Sequence, residues 1–285
     1  MAAAQAKSVA LTFDDGLDPD KEPRAAEWNA AILGTLARHG IRSMVFPSLR
    51  HTGGQAGRAL VADWSKAGHL VGNHTSQHRN LGSPKLTAAE FIGHVQEADA
   101  AFAHLPGWRP LLRFPYLKEG ETTAKRDEVR AWMKANGYRP APVSIDASDW
   151  YYDEVFRKGA DRARLKAAYV RHLLDRAAYY DGLAREVLGH EPPHVLLLHT
   201  SALNAAFLGD VIRAFREAGW TIVAPLVAFA DPLYAREPRI LPAGEGIVWA
   251  VAKEQGVAGL RYPAEDSRYE KPILEAAGLL PANPP

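Results

Sequence analysis

Ser8-Val9-Ala10-Leu11-Thr12-Phe13-Asp14-Asp15-Gly16 is the stretch that decides the fold. Ser8–Phe13 is nearly all apolar or β-favouring, without the in-and-out alternation of a half-exposed strand. It predicts a strand buried on both faces, as in a parallel sheet covered by helices. The acidic pair that follows then stands at the carboxyl end of that strand, the edge where parallel α/β folds collect their chemistry.

Outward from this strand, short β-rich runs alternate with segments of helical period. Arg24–His39 reads as a helix stopped by Gly40, Ser43–Phe46 as a strand, Gly57–Lys66 as a helix and Leu70–Gly72 as a strand. Thr87-Ala88-Ala89-Glu90 is a capping box opening a helix that runs to about Ala103. Leu111–Phe114, Pro142–Asp146, His194–His199 and Thr221–Val223 read as further strands, with helices at Lys125–Asn136 and Ala205–Ala218. The pattern predicts an α/β fold with about seven parallel strands joined by crossover helices. Residues 1–230 form the expected main α/β unit, barrel or open sheet, interrupted by a charged, mostly helical insertion at 151–191. Residues 231–285 form a Pro-rich C-terminal extension packing on it, with helices near Glu245–Glu254 and Lys271–Ala277.

Composition excludes several function classes. The chain has 285 residues, 47% apolar and 24% charged, an ordinary globular balance rather than a disordered one. A formal net charge of +1 argues against a nucleic-acid binder. No stretch reaches the roughly 18 uninterrupted apolar residues of a membrane span. The absence of cysteine removes disulfides, thiolate metal sites and a Cys nucleophile. Ala4-Gln5-Ala6 fits the small-x-small pattern before a signal cleavage site. It gives the expectation of an exported protein, periplasmic or extracellular, without its leader; an alanine-rich cytosolic start is the other reading.

Polar residues collect where the predicted strands end. Asp14 and Asp15 follow the first strand, His74 and His78 the third, Arg113 and Tyr116 the fourth, Asp146 and Trp150 the fifth, and His199 closes the sixth. His74 and His78 are spaced i, i+4, so both imidazoles can face one cation, and a carboxylate from another strand end completes a set that leaves positions open for water. Asp14 and Asp15 are adjacent, so their side chains diverge: one can ligate while the other handles a proton. Arg113 beside a carboxylate holds it ionised. His39, His51, His69, His94, His104, His172, His190 and His194 read as solvated or structural, and Gly53–Gly57 as a flexible turn.

In order, Thr12-Phe13-Asp14-Asp15-Gly16, His74-Thr75-x-x-His78, Arg113-Phe114-Pro115-Tyr116, Asp146-x-x-Asp149-Trp150 and Leu197-Leu198-His199-Thr200 resemble the motifs of the polysaccharide deacetylase family, the NodB homology domain. The resemblance spans about residues 8–228. It implies a distorted (β/α) barrel of fewer than eight strands and metal-dependent removal of N- or O-acetyl groups from a carbohydrate. By the same resemblance Asp15, His74 and His78 hold a divalent cation, zinc first, with cobalt or nickel as alternatives. Asp14 is the base, His199 the acid, Arg113 the partner of Asp14, and Asp146 the carboxylate that steadies Arg113 or His199. The Tyr116 backbone N–H helps hold the oxyanion, while Trp150 and Leu197 line the pocket for the acetyl methyl.

Two departures bear on substrate. Leu117-Lys118-Glu119-Gly120 stands where the family has a Gly soon after the Arg-Pro-Tyr segment, altering the rim of the sugar subsites. The 151–191 insertion adds a lid or wall at the same edge. An amidohydrolase or esterase acting on a small non-sugar molecule is the alternative within the enzyme class. A non-catalytic carbohydrate-binding relative is the alternative outside it.

Overall fold

The computed structural model describes residues 7–280; the Ala4-Gln5-Ala6 triplet lies outside them. In chain order the strands are β1 (Ser8–Asp15), β2 (Met44–Pro47), β3 (Leu70–Asn73), β4 (Trp108–Leu112), β5 (Lys118–Gly120), β6 (Arg139–Pro140), β7 (His194–His199), β8 (Thr221–Ile222) and β9 (Ala243–Gly244). The helices are α1 (Ala25–Arg38), α2 (Leu49–Thr52), α3 (Gln55–Lys66), α4 (Ala88–Phe102), α5 (Thr123–Ala135), α6 (Asp149–Arg157), α7 (Arg162–Leu188), α8 (Ala202–Glu217), α9 (Pro225–Ala228), α10 (Ile247–Glu254) and α11 (Ser267–Ala276).

Seven parallel strands make a curled sheet in the order β6-β4-β3-β2-β1-β7, with β8 also pairing β1. The expected α/β fold, a distorted barrel of about seven parallel strands, is therefore present. β1 lies between β2 and β7, with Asp14 level with Phe46 on one side and His199 on the other. Its residues Val9 to Phe13 are fully buried, which explains the unbroken apolar run. Phe13 packs its ring 5.2 Å from that of Trp64 on α3. Cutting Phe13 to Ala is expected to cost about 3–5 kcal/mol through the cavity it leaves.

The predicted strand at Pro142–Asp146 is shifted. The regular pairing is confined to Arg139–Pro140 against β4, and the chain then crosses to β7 through an isolated bridge, Ile145 to Leu196. Pro140 and Pro142 have no N–H to donate, so a continuous ladder cannot form there. Ser144 and Ile145 donate instead to the Val195 carbonyl, at 3.0 Å each, which closes the ring.

The Thr87 capping box forms as the sequence predicts: Thr87 Oγ1 accepts from Glu90 N at 3.2 Å, and Glu90 Oε2 accepts from Thr87 N at 2.8 Å. The 151–191 insertion resolves into α6 and the 27-residue α7. Leu165, Tyr169, Leu173, Ala177 and Tyr180 of α7 are fully buried, so α7 belongs to the outer helical layer and α6 alone reaches the rim. Residues 231–280 pack onto the same core through Leu233, Val248, Val251 and Leu274. No helix among the described residues is long and apolar enough to cross a membrane.

Candidate functional site

Parallel pairing brings the strand ends to one rim, beneath a cavity of about 1000 Å³. Asp14, Asp15, His74, His78, Tyr116, Asp146, Trp150, Leu197 and His199 all line it. Arg113 lies just below, with 1% of its surface exposed.

Asp15 has φ 83, a left-handed conformation that costs energy for any residue but glycine. That twist sends the two aspartates apart, as the adjacency predicts. Asp14 turns inward, where its Oδ1 and Oδ2 accept from Arg113 Nη1 at 3.0 and 3.2 Å. The guanidinium is fixed on every side: Nη2 donates to Thr12 Oγ1 at 3.1 Å, Nε to the Ala141 carbonyl at 2.5 Å, and its plane lies 4.5 Å from the Phe46 ring. Burial raises the Asp14 carboxyl to about 6, outweighing the downward pull of Arg113 and His199. Ionised above that value and dry, Asp14 is suited to accept a proton near neutrality.

Asp15 faces the histidines. Its Oδ1 is buried with no hydrogen-bond partner, 3.3 Å from His78 Nε2 and 3.7 Å from His74 Nε2. Burial alone would raise this carboxyl, but His199, His51, His78 and His74 together bring it down to about 2. His74 Nδ1 lies 2.7 Å from the Arg113 carbonyl, so Nδ1 carries the hydrogen and Nε2 keeps a free lone pair toward Asp15. Burial lowers His74 to about 4 and His78 to about 3, leaving both imidazoles neutral at pH 7.

The segment between these histidines is locked by Asn73. Its Nδ2 donates to the Val95 carbonyl and to Tyr138 Oη at 2.9 and 3.0 Å, and its Oδ1 accepts from Thr75 N at 2.7 Å. Thr75 and His78 themselves have φ 64 and 47. Strain of this kind persists only where neighbours over-determine the geometry.

A residue that sequence reasoning left as solvated or structural joins the group. His51 Nδ1 lies 3.7 Å from Asp15 Oδ2, and its ring is 4.7 Å from that of His78. Ligand atoms of Asp15, His51 and His78 all lie within 4.8 Å of one another. His74 is outside that triplet, though its Nε2 faces Asp15. One ionised carboxylate with an orphaned buried oxygen, facing the neutral imidazoles of His74 and His78 with His51 beside them, is a donor set that fits a divalent cation such as zinc, cobalt or nickel.

Across the rim, His199 Nδ1 pairs with Asp149 Oδ1 at 2.6 Å. Asp149 Oδ2 accepts from the His199 amide at 2.7 Å and from Asn204 Nδ2 at 2.9 Å. Burial would lower the imidazole, but the Asp149 charge and hydrogen bond overcome it and push His199 up to about 10. Sequence reasoning gives Asp146 the task of steadying Arg113 or His199. Its charge favours the Arg113 cation, but it hydrogen-bonds neither group and lines the cavity. The chain leaves the sheet after the Ile145 bridge, and Asp149, opening α6, is the carboxylate that arrives beneath the end of β7. Burial raises the Asp146 carboxyl, opposed first by Arg176.

Tyr116 has φ 57 and a 59% exposed side chain, with its ring 4.8 Å from that of His78. Leu197 is buried on the cavity floor and Trp150 is 41% exposed at its edge.

Residues 2–141 match the sequence model of the polysaccharide deacetylase family. The chain is 29% identical over 143 residues to the peptidoglycan-N-acetylglucosamine deacetylase of Bacillus cereus, covering 50% of this chain and 46% of that protein. It is 23% identical over 235 residues to the peptidoglycan-N-acetylmuramic acid deacetylase PdaA of Bacillus subtilis, covering 82% of this chain and 74% of the relative. Against the first of these the chain spans less than half the relative's length. In fold it is similar to a CE4 esterase from Streptococcus mutans, with a TM-score of 0.54 at 18% identity over 77% of this chain and 86% of the other. Over residues 2–141 the chain belongs to the polysaccharide deacetylase family.

Proposed function

We propose that the chain is a metal-dependent hydrolase that removes acetyl groups from a carbohydrate. One observation carries the reading. A proton acceptor, Asp14, and a proton donor, His199, stand on the same rim with shifts to about 6 and about 10, beside an Asp15–histidine cluster. Near neutral pH the base is ionised while the acid holds its proton, the pairing that hydrolysis of an amide or ester needs.

Asp15, His74 and His78, with His51 beside them, would hold a divalent cation. When bound there, such a cation would supply Lewis acidity, lowering the pKa of bound water toward roughly 7. Asp14, held by Arg113, takes the proton of the attacking water. The Tyr116 peptide N–H, carried to the rim by its left-handed backbone, serves the developing oxyanion; one such donor contributes about 3 kcal/mol. His199, its Nδ1 held by Asp149, delivers a proton from Nε2 to the departing nitrogen or oxygen. Leu197 and Trp150 shape the space for the acetyl methyl.

The test is acetate release from N-acetylglucosamine oligomers. Activity is expected to vanish with a chelator and return with added zinc or cobalt. Equal release before and after chelation would exclude the metal-dependent reading, and no release from any acetylated sugar would exclude the deacetylase itself.

A further inference from the structure

We infer that the C-terminal extension closes one end of the cavity, so that the site takes a short acetylated sugar, or the terminal unit of a chain, and not the middle of a polymer. This rests on the deacetylase reading above. The inference starts from the cavity wall. Glu245, Pro263 and Glu265, all from residues outside the family match, line the same cavity as Asp14 and His199. At about 1000 Å³ the cavity sits at the top of the range of small-ligand pockets, roughly 300–1,000 Å³.

The wall is fixed in place. β9 pairs antiparallel with β5, within the Leu117-Lys118-Glu119-Gly120 segment that departs from the family pattern. Glu245 N donates to the Leu117 carbonyl at 2.9 Å, and Ile247 N to the Val143 carbonyl at 2.7 Å. The Glu245 carboxylate bridges the two sides: it is ion-paired with Lys118, and its Oε2 accepts from Ala264 N at 3.0 Å. Glu265 is ion-paired with Arg176 of α7 and accepts from Tyr180 Oη at 3.1 Å. Glu245 also has φ 69, a conformation that glycine adopts far more cheaply, yet a long side chain 7% exposed is held there. A polymer bound by its interior must leave the site at both ends; because Glu245, Pro263 and Glu265 line the cavity beside Leu117 and Lys118 of the rim, we place the wall across one of them.

The experiment uses the full chain with N-acetylglucosamine oligomers of one to six units. An open groove gains about tenfold in kcat/KM for every further sugar bound with about 1.4 kcal/mol; the walled cavity is expected to stop gaining after the first few. Mass spectrometry of the products should show acetyl loss from a single terminal unit. Glu245→Gly suits the backbone and removes the side chain from the wall, so it is expected to raise kcat/KM for the hexamer relative to the dimer. Glu245→Gln keeps the bulk and should behave as the parent. Loss of internal acetyls by the parent, or kcat/KM rising with each added sugar, would overturn the wall. An unchanged length profile in a folded Glu245→Gly would overturn Glu245 as its blocking residue. Absence of acetate from every sugar would remove the deacetylase reading itself, a result distinct from any change in length preference.

Discussion

Residues 7–141 and residues 142–280 meet over the same cavity but supply it by different means. The first half delivers its groups from short turns at strand ends, several of them in left-handed conformations: Asp15, Thr75, His78 and Tyr116. The second half delivers Asp149 and His199 through a helix start and a strand end joined by ordinary hydrogen bonds. It then adds a wall from the extension. Strain therefore concentrates around the Asp15–histidine cluster beside Asp14, whereas His199 is tuned chiefly by its pairing with Asp149. The difference separates fixing a position from tuning a charge.

Five substitutions sharpen that contrast. The largest effect is expected from Asp15→Ala, which removes the one ionised oxygen the imidazoles surround: bound zinc measured by elemental analysis should fall to background, and activity with it. Full zinc content in that variant would break the assignment. Asp14→Asn should keep its zinc yet lose at least roughly 10² in kcat, the contribution of general-base catalysis. In the parent, kcat/KM should rise through a pKa at or below about 6 as Asp14 ionises, because burial raises this group and a nearby cation pulls it back. A profile that stays flat down to the ordinary carboxylate range, about pH 4, would count against Asp14 as base.

On the other half, Asp149→Asn should lose roughly 10² in rate, since His199 would lose both its charge partner and its fixed ring tautomer. Asp146→Asn should cost much less. A larger loss from Asp146 than from Asp149 would reverse the roles read from the geometry. The smallest effect is expected from His51→Ala. If His51 supports Asp15, metal affinity measured by competition with a chromogenic chelator should fall about 10-fold to 100-fold with the stoichiometry unchanged.

The fold and most of the rim were legible because the signals are local. An apolar run followed by two acids, or histidines one helical turn apart, can be read without knowing what lies beside them. His51 was not legible in this way. It stands on the four-residue α2, and the pairing of Asp15 with Pro47 brings that helix to the Asp15–histidine cluster. The Asp15 carbonyl accepting from Ser48 N at 2.8 Å completes the approach. Counting residues onward from the end of β2, the neighbour of β1, is the signal that would have found it. Asp146 and Asp149 stand in one motif, and the sequence alone does not show which of them meets His199, because the prolines that break the strand before them shift the register by which a carboxylate arrives. Glu245 and Glu265 lie far along the chain in a Pro-rich tail with no motif of their own, and only the antiparallel pairing of β9 with β5 carries that tail to the rim.

The central position of β1 has a consequence for anyone dividing this protein. One flank of the strand is held by β2, from the matched half, and the other by β7, paired over six successive residues from Val9 to Asp14. A fragment ending at residue 141 would keep the recognisable signatures but strip the innermost strand of one neighbour and expose its edge. The border drawn by family likeness is thus not a border of folding, and excising the matched portion should yield an insoluble product rather than a minimal enzyme.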